Sequence, residues 1–357
     1  MLIRLEARPQ SSKWMQYASP VIAAGLTVVS GIILFSALGT NPWLALYTFF
    51  ISPLTTVYGI GEWAIKATPL LLCAIGLSIG FRGNVWNIGA EGQLTMGAIC
   101  GGGVALAFYG SEGPWLLPLM IVGGGLGGMA WGAIPAFLKN RFNANEILTS
   151  LMLTYVAIQF LGYLVHGPWM DPDGYNFPET RVFHEYGWMP VLVEGTRFHA
   201  GFILALIAVV VAWIFMSRTF TGFQISVVGQ APAAAAYAGY SQKRVVMLSF
   251  LIGGGLAGLA GISEISGTIQ QLQPVISPGY GFAAIIVAFL GRLHPVGVLL
   301  ASLLMSLMYL GGESLQMDLN LPLAVTGVFQ GLLLFYVLGS DVLIRYRIRI
   351  GGAVKEA

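Results

Sequence analysis

Ala200-Gly201-Phe202-Ile203-Leu204-Ala205-Leu206-Ile207-Ala208-Val209-Val210-Val211-Ala212-Trp213-Ile214-Phe215-Met216 is a run of 17 residues with no charged side chain. Wound as an α-helix it measures about 26 Å, close to the roughly 30 Å hydrocarbon core of a bilayer. Working outward, comparable runs lie at about 18–38, 67–81, 90–109, 115–138, 146–165, 245–266, 278–291, 295–311 and 321–340. Together they make ten candidate spans. The composition agrees, with 56% hydrophobic and 9% charged residues and a mean hydropathy of +0.78, whereas soluble domains carry about 25% charged residues. Because lipid offers the backbone no hydrogen bonds, such runs read as helices. The sequence therefore predicts an all-α, polytopic integral membrane protein of about ten transmembrane helices, some of them short or broken.

An eleventh apolar run at 43–61 is interrupted by Ser52-Pro53, Gly59 and Gly61 and reads as interfacial or re-entrant. Charge decides against counting it. With ten spans and both termini cytoplasmic, the inner side receives Arg4, Arg8, Lys13, Arg82, Lys139, Arg141, Arg218, Lys243, Arg244, Arg292, Arg345, Arg347, Arg349 and Lys355. That is 14 of the 17 Lys and Arg, leaving Lys66, Arg181 and Arg197 outside, the asymmetry of the positive-inside rule. The organisation expected is a cytoplasmic N-terminal segment (1–17), a single transmembrane domain (18–344) and a cytoplasmic basic tail (345–357). The N-terminus is read as an uncleaved first helix rather than a signal peptide, for lack of a small-residue cleavage site. The outer loop 166–199, with Asp171, Asp173, Glu179 and Glu185, reads as a lid or docking surface, and 218–244 is the longest inner loop.

Several functions are excluded by what is absent from the sequence. Cys73 and Cys100 are too few for a disulfide scaffold or a multi-cysteine zinc site and read as packed apolar residues. A formal charge of +2 without a basic, aromatic patch argues against nucleic acid. His166, His184 and His199 lie in or beside the outer segment, and His294 stands alone beside Pro295, so no triad or metal set assembles. The chain reads as non-enzymatic, with no cofactor of its own.

Two places break the apolar pattern. The run 67–81 has about fifteen residues, about 22 Å, and is expected to be too short to span alone. It is followed by the polar stretch Phe81-Arg82-Gly83-Asn84-Val85-Trp86-Asn87-Ile88-Gly89-Ala90-Glu91-Gly92-Gln93. Irregular backbone at membrane depth must face protein or a watery cavity, so Asn84, Trp86, Asn87, Glu91 and Gln93 become the candidate translocation path. The competing reading is local: Asn87 caps the following helix, and Glu91 occupies its first turn and pairs with Arg82. The second break is the short span 278–291, preceded by Gln270, Gln271, Gln273 and Pro274. Glu264 is expected to point inward, being costly against lipid. Two glycine runs, Gly123–Gly128 and Gly253–Gly258, read as close helix packing in preference to an internal repeat.

The inner loop carries Gly229-Gln230-Ala231-Pro232-Ala233-Ala234-Ala235-Ala236-Tyr237-Ala238-Gly239-Tyr240. Proline at the first helical position, a run of alanines and a glycine just past the end specify a short helix. One so short needs a partner to order it, with Tyr237 and Tyr240 as anchors. With no phosphate-binding loop in the chain and its acids at helix ends, energy is expected from a separate subunit. An ion-coupled secondary transporter is the alternative.

The 81–93 stretch, Asn145-Glu146-Ile147-Leu148-Thr149-Ser150-Leu151-Met152-Leu153 and the 229–239 segment, in this order, resemble the permease subunits of bacterial ABC importers of the branched-chain amino acid and ribose type. Asn-Ile-Gly-Ala-Glu-Gly-Gln looks like the nucleoside and simple-sugar branch. The resemblance covers about residues 20–340. It implies an inner-membrane heterodimer with a second, related permease, two cytoplasmic ATPase subunits that bind the ATP, and a periplasmic or lipoprotein solute-binding protein. It also implies that Gly229, Pro232, Ala233, Ala236, Tyr237, Gly239 and Tyr240 form the coupling helix. The family often places an acidic residue before the alanines; Gln230-Ala231-Pro232 stand there instead, so shape and aromatic contact are expected to replace charge pairing. The polar path residues suit a hydroxylated solute.

Overall fold

The computed structural model describes residues 3–7, 13–110, 113–322 and 324–350. In chain order its elements are β1 (Ile3–Ala7), α1 (Lys13–Ala37), α2 (Pro42–Phe50), α3 (Val57–Arg82), α4 (Ala90–Ala107), α5 (Leu116–Phe142), α6 (Glu146–His166), α7 (Gly201–Arg218), α8 (Phe220–Gln230), α9 (Pro232–Tyr237), α10 (Gln242–Ser263), α11 (Tyr280–Leu290), α12 (Pro295–Leu319), α13 (Ala324–Arg345) and β2 (Tyr346–Ile350). A π-helical turn, Glu264–Ile269, prolongs α10. Helix dominates, as expected. The departure is a five-residue antiparallel pairing of β1 with β2, Ile3 opposite Ile350 and Ala7 opposite Tyr346. Arg8 and Lys355, counted among the inner charges, lie outside the described residues.

Each of the ten predicted runs coincides with a helix. Among the described residues, six helices are long and apolar enough to cross a membrane: α3, α5, α6, α7, α10 with its π turn, and α12. The run at 67–81 is the clearest correction. It is the second half of α3, whose 26 residues give about 39 Å, ample for a crossing. The first half of α3 takes in the end of the 43–61 run and residues 62–66, which belonged to neither run. The helix nevertheless starts at Thr56, whose hydroxyl accepts from Gly59 N at 3.0 Å, and it runs through Pro69. The charge at Glu62 is buried against Arg197, which donates to both of its carboxylate oxygens at 2.9 and 2.6 Å. The 43–61 run correspondingly divides: its first part is the short α2, capped by Asn41, and its last residues belong to α3.

The described chain separates into two compact units, residues 1–55 with 307–357 and residues 56–306. In the first, α1 packs on α2 and α13. Phe329 stacks on Phe35 and Phe49 with ring centroids 5.6 and 4.8 Å apart.

In the second unit α10 is the hub, with α3, α4 and α5 around it. Lipid is as apolar as leucine, so association rests on close van der Waals approach and small residues. Gly128 of α5 lies against the Gly254 carbonyl of α10, and Gly258 of α10 lies against the Gly124 carbonyl of α5. Gly97 of α4 meets Gly258, and Gly76 of α3 meets Gly253. The two glycine runs of the sequence thus pack on each other, and a side chain at these positions would collide with backbone.

The segment between α6 and α7 is strapped onto the turn after α10. Met189 N donates to Ser266 O, Phe183 N to Gln270 O and Thr180 N to Leu272 O, at 2.8 to 3.0 Å. Glu179 takes hydrogen bonds from Gln271 and Gln273. His199 closes this strap: its Nδ1 accepts from Gly201 N at 3.2 Å. Burial pushes its imidazole down to about 4, with Arg197 adding and Glu62 opposing.

Candidate functional site

Two interruptions in the helices meet inside the second unit. The first is the 83–89 segment between α3 and α4, where α3 ends at Gly83 and Asn84 turns the chain with a φ of 54°. Asn87 then organises the start of α4. Its Oδ1 accepts from Gly89 N at 2.9 Å and from Gln93 Nε2 at 3.2 Å, and its Nδ2 donates to Gln93 Oε1 at 2.9 Å. Ile88 N donates to Ser150 Oγ at 3.1 Å, tying the break to α6. Gly89 and Gly92 let the backbone lie directly on Ser150 and Thr154 of that helix.

The second interruption is the irregular 270–279 segment before α11. At 11 residues α11 is about 16 Å long, half of a bilayer core, so its N-terminus needs satisfaction inside the protein. Glu91 provides it. Its Oε2 accepts from Gly281 N at 2.6 Å, and Ser277 and the backbone of Gly279 also hydrogen-bond its carboxylate. Gly281 has no room for a side chain beside the α4 backbone at Ala90 and Glu91. The first turn of α4 and the first turn of α11 are therefore joined through one carboxylate placed at the positive end of a half-length helix. The expected pairing of Glu91 with Arg82 is replaced by this contact, because the amides at a helix start lack partners within the helix and are better-directed donors than a flexible guanidinium.

The five candidate path residues thus divide. Asn87, Glu91 and Gln93 are buried and hydrogen-bonded to protein. Asn84 is exposed and Trp86 half-buried, the indole donating to Asn84 Oδ1 at 3.1 Å. The Trp86 ring lies with Phe81 and Phe289 in an aromatic cluster, centroids 5.1 to 5.9 Å apart. Ser249, on the α10 face opposite Gly80, has a buried hydroxyl without a hydrogen-bond partner among the described residues. Ser150, Ser277, Gly281 and Phe289 were not singled out by sequence reasoning. Gly281 lies 190 residues from Glu91, and no local pattern links them.

The inner loop folds as two helices. Thr219 caps α8, and Pro232 begins α9. Gly239, at a φ of 78°, ends it in the left-handed turn that a side chain would strain. Tyr237 is 97% exposed, whereas Ala235 is buried and Tyr240 packs edge-on against Phe220, centroids 5.9 Å apart. The last turn of α8 reaches the break itself: Gly229 sits on the Arg82 carbonyl, leaving no space for a Cβ, and Gly83 faces Ile225 and Val245. Arg82, Lys243 and Arg244 therefore share one end of the unit. Glu62 and Arg197 lie at the other end of α3, about 30 Å away along 20 residues of helix.

Residues 59–338 match the family described as branched-chain amino acid transport system / permease component. The chain is 35% identical to the glucose ABC transporter permease protein TsgB13 of Haloferax volcanii, over 98% of this chain and 94% of that protein. It is 30% identical to the nucleoside ABC transporter permease protein NupB of Lactococcus lactis, over 92% of each. It is also 30% identical to the guanosine ABC transporter permease protein NupP of Bacillus subtilis, over 90% of this chain and 92% of that protein. No solved structure matches.

Proposed function

The chain belongs to the branched-chain amino acid transport permease family and is the multi-pass, non-catalytic membrane subunit of an ABC importer; from that premise we propose that α9 is the handle by which ATPase subunits work it. ATP hydrolysis takes place on partner chains, and a solute-binding protein is a general partner of the family. An ion-coupled transporter acting alone finds no support among these relatives.

The observation that carries the handle is the contact between Gly229 and Arg82. A push on α9 passes through the last turn of α8 to the backbone at which α3 breaks, without an intervening flexible side chain. Tyr237 is the anchor offered to the ATPase groove; Pro232, Ala233, Ala236, Gly239 and Tyr240 set the shape and exit of the rod. On this reading the inner end of α3 is cytoplasmic, the spans number ten, and 18–344 works as one transmembrane domain. Pairing of β1 with β2 supports an even number of crossings, since it holds Ile3–Ala7 and Tyr346–Ile350 on one side.

In the path, Asn87, Gln93 and Glu91 hold the wall, and Asn84 and Trp86 face the solute. An indole face flanked by an amide suits a nucleoside or simple sugar, and the relatives named for glucose, nucleosides and guanosine support that class. The assembly proposed is a heterodimer with a second related permease, two ATPases and an external binding protein, in a cytoplasmic (inner) membrane. Uptake of a labelled nucleoside and a labelled sugar into proteoliposomes, with and without the ATPase, tests this. ATP-dependent uptake of either supports it; uptake by the chain alone on an ion gradient would overturn it.

A further inference from the structure

Where α5 ends and α10 begins, the second unit has a pocket of about 500 Å³ lined by Lys139, Arg141, Phe142, Asn143, Gln242 and Lys243. Its floor is fixed by Asn140, whose Nδ2 donates to the Lys243 carbonyl at 2.8 Å. We infer that this pocket binds the phosphodiester headgroup of an anionic membrane lipid, with the acyl chains lying along α5.

Lys139 is 3.0 Å from Glu146, but Arg141 and Lys243 have no ion-pair partner among the described residues. Both are exposed at the pocket. A guanidinium fork binds phosphate oxygens in pairs, and the lysine adds a second cation. The first turn of α10 contributes amide groups that have no partner within the helix.

The apolar surroundings of the pocket point to a lipid. Phe137 and Phe142 form an edge-to-face pair beside the pocket, centroids 6.3 Å apart, and are 55% and 68% exposed. Exposed phenyl rings are apolar surface that hydrocarbon chains can cover. Above them Leu119, Val122, Leu126 and Ile134 are exposed at three- to eight-residue spacings that place them on one side of α5. A basic cleft opening directly onto an apolar stripe matches a molecule with an anionic head and hydrocarbon tails. A free phosphate would use only the cleft.

The test is native mass spectrometry of the full-length permease from nanodiscs of mixed dioleoylphosphatidylglycerol and dioleoylphosphatidylcholine. The wild type is expected to retain phosphatidylglycerol selectively, unaffected by millimolar inorganic phosphate. Each basic residue near an anionic headgroup is worth about fivefold, so Arg141→Gln with Lys243→Gln should lower the retained ratio about thirtyfold. The single variant Lys243→Gln, expected at about fivefold, provides a second reading if the double variant folds poorly. Equal retention of both lipids would overturn the assignment. Displacement by inorganic phosphate would overturn it in favour of a free anion. Lipid retention unchanged in both variants would also overturn it.

Discussion

Replacing Glu91 by Ala removes the group that joins α4 to α11. The carboxylate accepts from Gly281 N at 2.6 Å and is hydrogen-bonded by Ser277 and Gly279. Losing a helix cap leaves a buried N–H without an acceptor, which costs about 1–3 kcal/mol. Glu91→Ala should therefore destabilise by about 1–3 kcal/mol. For a unit of this size that is a fall in Tm of about 2–12 °C, measured by fluorescence-detected gel filtration after heating. Glu91→Gln keeps an amide oxygen to accept from Gly281 N and loses the charge–dipole part, about 0.3–1 kcal/mol, together with one of the two carboxylate acceptors. Uptake should follow the same order, nearly wild-type in Glu91→Gln and severely reduced in Glu91→Ala. A Glu91→Gln protein with native Tm and abolished uptake would refute the wall assignment and place the carboxylate against the solute. An unchanged Tm in Glu91→Ala would refute the cap itself.

Tyr237→Ala touches almost nothing within the chain, so its Tm should stay within the shift given by about 0.5 kcal/mol while ATP-driven uptake falls at least tenfold; wild-type uptake would remove the anchor. Gly258→Leu forces a side chain onto the Gly124 carbonyl and should cost about 3 kcal/mol or more, read as loss of the monodisperse gel-filtration peak. His199, lowered in the fold to about 4 from 6.5, binds protons more readily when unfolded. Its contribution is fully present above about pH 6.5 and is lost as pH falls towards 4, about 3 kcal/mol in all, so Tm should drop over that window. His199→Asn, which keeps an acceptor for Gly201 N, should flatten the profile; an unchanged acid slope would exclude His199 as its source.

The helices were legible where hydrophobicity was continuous, as in the 200–216 run that became α7. They were misread where a polar residue is satisfied from afar. Residues 57–61 of α3 were read with an interfacial or re-entrant run and 62–66 with none, and the bidentate contact of Glu62 with Arg197, 135 residues on, explains why a carboxylate sits in that helix. The short helix α9 was legible because its signals are local: proline at its start, alanines through its length, glycine past its end. The break at 81–93 was legible as a break, and Asn87 as a local organiser of α4. The role of Glu91 was not, because its partners lie on α11 and in the turn before it, and sequence spacing carries no trace of that approach. The glycine runs announced close packing, but which helix each would meet is a property of the assembled bundle.

The central claim is that force enters this permease through α9 and reaches the break at Arg82 by way of α8. It is tested most directly by cross-linking a cysteine at position 237, in a chain with Cys73 and Cys100 replaced, to the membrane-facing groove of the ATPase, while a spin-label pair reports the separation of positions 84 and 237. The account predicts an efficient cross-link and an ATP-dependent change in that separation, abolished when Gly229→Val disturbs the contact with Arg82. A residue 237 that labels only from the outside of the membrane, or a separation indifferent to ATP in a complex that still transports, would contradict it.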